Sequence, residues 1–195
     1  NQNNALTNAD AITARLRVGY TTGTFNGLGA MVEAESTTAL GNKAYNSLAA
    51  GNSGLGTHSV VADPEATEIN QAYLSYSGMA DTTVKWGRQR LILDNARFVG
   101  NVGWRQNEQT YDAFTLVNKS LSDTTITVGY ITNVNRIFSD NSNATTGAAA
   151  GNHKSSHTIL NASYKGWSFA QITGYAYLLD YDTTTAFTAN NSDTY

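Results

Sequence analysis

Two consecutive stretches near the start of the chain alternate apolar and polar residues with a period of two, and no other feature constrains the fold as strongly. In the first, Ile12, Ala14, Leu16, Val18 and Tyr20 alternate with Thr13, Arg15, Arg17, Gly19 and Thr21. In the second, Leu28, Ala30, Val32 and Ala34 alternate with Gly29, Met31, Glu33 and Glu35. A period of two assigns each set to its own side of a β-sheet. A soluble sheet with one solvated face reads the same way. The pattern recurs in hairpins along the whole chain, however, and the connections are alternately short and long. That layout selects an outer-membrane β-barrel, in which apolar residues face lipid and polar residues face a lumen.

Composition excludes several other classes. The 195 residues include 14% charged residues, 17 Gly, 11 Tyr and 1 Pro, Pro64. No run approaches the roughly 20 consecutive apolar residues of a membrane-spanning helix. A transmembrane barrel escapes that scan because only alternate residues touch lipid, so a mean hydropathy of −0.34 is compatible with it. A net charge of −3 gives no basic footprint for nucleic acid. With 0 Cys, disulfides and thiolate metal sites are both excluded.

The alternation predicts eight strands, at about 11–22, 27–37, 68–77, 82–89, 110–118, 124–135, 156–164 and 167–179. Ile126, Val128, Tyr130, Thr132 and Val134 share one face of the sixth, while the fifth alternates too weakly to assign its faces. Long loops are expected at 38–67, 90–109 and 139–155, and short turns between the hairpin strands. A chain that crosses a bilayer must return to the same side every second strand, which is the rhythm seen here. Tyr20, Phe25, Tyr76, Trp86, Tyr130, Tyr164 and Trp167 are placed as an interfacial aromatic girdle would be. Residues 1–10 read as the end of a loop and residues 180–195 as another loop, so the single domain is expected to be the N-terminal half of a larger barrel.

Several stretches also resemble the alginate-export family of Gram-negative outer-membrane porins. They are Val60–Asn70, Gln71–Gly78, and above all Gly87-Arg88-Gln89-Arg90 followed by Asp94–Gly100. Trp104–Ala113 and Asn133–Phe138 continue the likeness. The resemblance implies a monomeric, up-and-down antiparallel barrel of roughly 16–18 strands, wide enough to leave a passage, in the bacterial outer membrane. It does not imply alginate as the solute.

The charged residues are informative on their own. Arg88 and Arg90 share the parity of the lipid-facing Val84 and Trp86. A cation at the bilayer midplane costs roughly 2–4 kcal/mol, falling to about 0–1 near the interface. Either the strand has reached the headgroups, or a bulge shifts the register, or the chain leaves the wall near Gly87 and turns into the lumen. The resemblance favours the inward path, which would put Arg90, Arg97 and Arg105 at the narrowest point with Arg15, Arg17 and Lys85 nearby. Arg136 is a further pore-lining candidate. Arg15 and Arg17 can also meet Glu33 and Glu35 across the first hairpin, as a wall brace or as a transverse field.

Enzymatic readings are poor. Glu33 and Glu35 lie on one strand face with nothing to separate their pKa values. His153 and His157 have helical metal-ligand spacing, but one falls in a loop and the other opens a strand, so solvated histidines are expected. The Gly51–Gly56 run lacks the flanking strand and helix of a phosphate loop. Two functions from different classes remain. One is a passive channel for small polar, anionic or sugar-like solutes, and the other is a non-conducting barrel serving as anchor, adhesin or receptor. Expected partners are the lipid bilayer, lipopolysaccharide and a small polar or anionic solute, with no cofactor and no nucleic acid.

Overall fold

Each alternating stretch becomes a strand, and each strand pairs antiparallel with the next. In the computed structural model, which describes residues 6–49, 56–140, 142, 150–182 and 192–194, the order is β1 (Thr13–Thr21), β2 (Leu28–Ala39), β3 (Ala66–Met79), β4 (Thr82–Gln89), β5 (Thr110–Asn118), β6 (Thr124–Asn135), β7 (Asn152–Tyr164), β8 (Ile172–Leu179) and β9 (Ser192–Thr194). They form one sheet in sequence order, the up-and-down arrangement of a barrel wall. Among the described residues no helix is long and apolar enough to cross a membrane.

The two faces of the sheet are chemically opposite. On one, Leu16, Val18, Leu28, Leu74 and Trp86 are 56–66% exposed, and Val32, Phe114, Val128, Leu160 and Ile172 are exposed beside them. So broad an apolar surface is intelligible against hydrocarbon and not against water. On the other face Thr37, Gln71, Thr115, Ile159, Asn161 and Tyr177 are buried. What buries them is chain from between the strands.

The register explains an awkward feature of the apolar face. One lateral row of partners reads Tyr20, Val32, Ala72, Arg88, Asp112, Asn133, Lys154. Barrel strands tilt by about 35–45°, so such a row climbs about 3 Å per inter-strand step, or roughly 18 Å over six steps. The apolar band is about 25 Å tall. Tyr20 therefore lies low, beside a short turn, and Lys154 lies high, near the long loops. Arg88 sits partway up in this row, paired with Asp112 through a 2.8 Å contact.

Several boundaries and facings differ from expectation, each for a local reason. The β5–β6 register shifts between Asp112 and Ala113, which makes Thr132 an extra residue in β6. Val134 consequently joins Ile131 in the buried cluster on the covered face and does not share the face of Tyr130. A second shift, between Glu33 and Ala34 of β2, accommodates Asn70 of β3. The faces of β5 are now assigned: Tyr111, Ala113 and Thr115 are buried, whereas Phe114 is exposed. β7 starts at Asn152, so His153 and His157 are buried wall residues and not solvated loop histidines. The upper part of β7 reads as loop because Lys154, Ser156 and Thr158 make its outer face polar above the apolar band. Residues 165–171 form a longer connection than a two-residue turn, with Trp167 and Phe169 stacked at 5.9 Å. β9 lies within the expected terminal loop. Most of the Gly51–Gly56 run falls outside the described residues.

Gly87 has φ +126°, and a Cβ there would lie 2.4 Å from the Ala72 carbonyl oxygen and 2.9 Å from Tyr73 Cα. Only glycine lets β4 approach β3 this closely. Gly174 has open space around it. Gly87→Ala is therefore expected to cost about 1–3 kcal/mol or more, seen as a clear drop in the temperature at which the folded electrophoretic band converts to the unfolded one. Gly174→Ala should leave that temperature nearly unchanged.

Candidate permeation site

The covered face is built around the segment that connects β4 to β5. The last residue of β4, Gln89, is 1% exposed. Its side chain donates to the Ala113 carbonyl at 3.0 Å and accepts from the Thr115 hydroxyl at 2.8 Å. Beyond it the chain leaves the wall and crosses toward β8. Val99 buries itself among Tyr111, Ile131, Val134, Ile159 and Tyr177, with Leu91 and Leu93 packed alongside. Asp94 accepts from the Tyr177 hydroxyl at 2.6 Å and from Asn161 at 2.9 Å. Gly100 and Tyr111 close a reciprocal pair: the Tyr111 hydroxyl donates to the Gly100 carbonyl at 2.8 Å and accepts from its N–H at 3.0 Å.

From Gly100 the segment turns back and crosses the face in the opposite direction. Asn107 accepts from the Thr37 hydroxyl at 2.6 Å. Gln106 donates to the carbonyl and hydroxyl of Thr13 at 3.0 and 3.2 Å, and its own carbonyl accepts from Arg15. Arg105 reaches Asp63 of the β2–β3 loop, with Nε at 2.9 Å. Asp63 is 0% exposed and also accepts from the Thr13 hydroxyl at 2.6 Å. Residues 90–109 thus touch β1 at one end of the sheet and β8 near the other.

Glu108 is the electrostatic centre of this arrangement. Arg90 donates to it, Arg17 lies 3.0 Å away, and Asn70 and Asn101 donate at 2.6 and 3.0 Å. Glu33 and Glu35 close the network: Arg17 contacts Glu35 at 2.5 Å and Glu33 at 3.4 Å, while Asn70 and Gln71 donate to Glu33 at 2.7 and 3.1 Å. Burial opposes the charge of Glu108, yet the hydrogen bonds from Arg90, Asn70 and Asn101 together with the nearby Arg17 prevail and hold its carboxyl down at about 2. Asp63 is likewise held below the usual carboxylate range: burial works against its charge, and bonds from Arg105, Thr13 and the Gln106 N–H outweigh it.

The candidate residues from the sequence fall into two groups. Arg17, Glu33, Glu35 and Arg90 meet in the Glu108 network, Arg105 is paired with Asp63, and Arg88 is paired with Asp112. Arg136 donates to His153 at 2.8 Å. Like Arg136, Arg15, Lys85 and Arg97 have no carboxylate partner among the described residues: Arg15 bonds the Gln106 carbonyl, Lys85 lies 4.6 Å from the Tyr73 ring centre, and Arg97 lies 5.3 Å from that of Phe98. Sequence reasoning gave no role to Glu108, Asp63 or Asp94. Asp94 and Glu108 are the acidic residues of a segment that also carries Arg90, Arg97 and Arg105, but nothing local marks their partners or Asp63, which lies in the β2–β3 loop.

Residues 2–178 match the alginate-export family. No curated protein is significantly similar to the chain in sequence. Among solved structures it is similar to OccD3 (OpdP) of Pseudomonas aeruginosa, at 16% identity and a TM-score of 0.58, covering 86% of this chain and 36% of that one. It is also similar to Pseudomonas aeruginosa OpdK, solved with vanillate, at 14% identity and a TM-score of 0.63, covering 88% of this chain and 44% of that one. The chain thus spans less than half the length of these proteins, and the likeness establishes the fold as that of an outer-membrane β-barrel wall. With the family matched over nearly its whole length and the wall and its inner segment in place, the chain belongs to the alginate-export family of bacterial outer-membrane proteins.

Proposed function

We propose that this chain contributes the wall and the constriction of a passive outer-membrane channel for small polar solutes, with a preference for anions. The observation that carries the reading is residues 90–109, which lie across the non-lipid face from β1 to β8. A segment in that position narrows a passage and sets its charge. Most of its cations already have carboxylate partners, so the field felt by a solute comes chiefly from Arg15, Lys85 and Arg97. A low-dielectric wall around a narrow wet passage concentrates such a field, even where the net charge is −3. The vanillate in the OpdK structure is a small organic anion, the class of solute this balance favours. The alternative of a non-conducting anchor or receptor draws less support, because the inner face carries polar and charged residues such as Arg15, Arg17 and Lys85 that suit a wet interior.

Arg97→Gln combined with Lys85→Gln is expected to shift the reversal potential in a salt gradient toward cations. The shift should be larger at low salt, since at 0.1 M the screening length is about 10 Å. Arg88→Gln should leave it nearly unchanged, because that guanidinium is paired with Asp112 on the row that climbs the outer face. An unaltered potential in the double variant at low salt, with conduction retained, would remove this segment from the permeation path.

Glu108 gives the reading a pH dependence. Its folded-state pKa lies below the ordinary 4.5, so the stabilisation is complete above 4.5 and fades as the pH falls from there toward about 2. The amount at stake is about 3 kcal/mol. Open-channel current noise should therefore rise as the pH drops below 4.5. Glu108→Gln should be noisy already at neutral pH and show little further change over that acidic range.

A further inference from the structure

Between residues 94–98 of the inner segment and the start of β8 lies a cavity of about 380 Å³, lined by Asp94, Asn95, Arg97, Phe98, Gln171, Thr173 and Tyr175. This is the lower end of the size range for small-molecule sites. It opens on the side of the segment that faces the short turns, since Thr173 and Tyr175 precede the Asp94-bonded Tyr177 along β8. Its chemistry is uneven in an informative way. Phe98 and Tyr175 stand side by side in the lining, their ring centres 6.1 Å apart and their planes tilted by 43°, and the buried Tyr177 backs Tyr175 by stacking on it at 4.8 Å. Arg97 is exposed at the rim, next to Phe98. Asp94, the acidic member of the lining, already accepts from Tyr177 and Asn161, which fixes it toward the wall. Aromatic rings in a cavity beside a guanidinium that has no carboxylate partner among the described residues are an arrangement that ordinary wall packing does not require.

We propose that this cavity is a binding subsite for small carboxylates that carry a flat ring, with Arg97 holding the carboxylate and Phe98 and Tyr175 receiving the ring face. The proposal rests on the channel reading above and adds to it: an anion field alone ranks solutes by charge, whereas this wall ranks equally charged solutes by shape. A guanidinium binds a carboxylate through paired hydrogen bonds, and ring-on-ring contact adds to that in proportion to the aromatic surface available.

The test is current block of the reconstituted channel by benzoate and by acetate, which carry the same charge. Benzoate is expected to reside about three- to tenfold longer than acetate. Arg97→Gln should weaken block by both. Tyr175→Leu should bring benzoate down to the acetate level while leaving acetate unchanged. If Tyr175→Leu does not fold, Phe98→Leu carries the same comparison. Equal residence of benzoate and acetate in the unaltered channel would overturn the subsite, as would a benzoate advantage that survives loss of either ring. The two readings fail separately: anion preference without ring preference removes the subsite alone. A ring preference abolished by Tyr175→Leu, in a channel without anion preference, removes the selectivity reading and leaves the subsite.

Discussion

The structure depends on one carboxylate held at the centre of a buried network. Glu108 joins three parts of the chain that are remote in sequence: Arg17 of β1, Asn70 of β3, and Arg90 and Asn101 within its own segment. Breaking such a buried arrangement costs about 3–5 kcal/mol, because the remaining charges lose both water and partner. That penalty keeps residues 90–109 against the wall in a conformation the backbone does not favour. Asp94, Ala96 and Val102 all have positive φ, between 53° and 60°, and for a β-branched residue such as Val102 this is strained. The anchors at Asp63, Glu108 and Asp94 hold that strain in place.

The two faces of the sheet solve the same problem by different means. Each strand has one side that must be removed from water or matched to it. The outer side meets hydrocarbon and needs no further chain. The inner side receives the segment, and eight buried residues, Val99 and Tyr111 among them, form the described hydrophobic cluster there. Polar inner residues such as Asn161 and Gln71 are used as anchoring points and are not simply left wet. The same division explains why the cations sort as they do. Arg17, Arg90 and Arg105 meet carboxylates at the segment's anchoring points, whereas Arg15 holds it through the Gln106 carbonyl.

The sheet was legible in the sequence because period-two alternation is a direct imprint of a one-sided environment. β4, β5 and β6 carry the boundaries the alternation implied. The reading failed where that imprint fades. At Thr132 an extra residue reverses the parity, which alternation cannot anticipate. At His153–His157 both faces are polar, one because it is covered and the other because it stands above the apolar band. For Arg88 the sequence could not choose among its alternatives: β4 pairs with β5 without a break through Gln89, so Arg88 is still part of the wall and its charge is met by Asp112. The Gly87–Arg90 run was visible as a signature without a reason. Each of its residues now has one: close approach for Gly87, Asp112 for Arg88, Ala113 and Thr115 for Gln89, and Glu108 for Arg90. The anchors Asp63 and Glu108 were not legible, because they act across 42 and 18 residues of separation with nothing local to mark them.

The central claim is that residues 90–109 cross the inner face and dock on β1. Residues 1–195 contain no cysteine, so an introduced pair meets no competing thiol within this stretch. Gln106 and Thr13 touch through their side chains at 3.2 Å. The direct measurement is oxidative cross-linking of a Thr13→Cys, Gln106→Cys variant in outer membranes, followed by single-channel recording. The account predicts efficient cross-linking and a conductance close to that of the unaltered channel. Absence of a cross-link in the folded protein, or a cross-link that forms only with a large change in conductance, would contradict it.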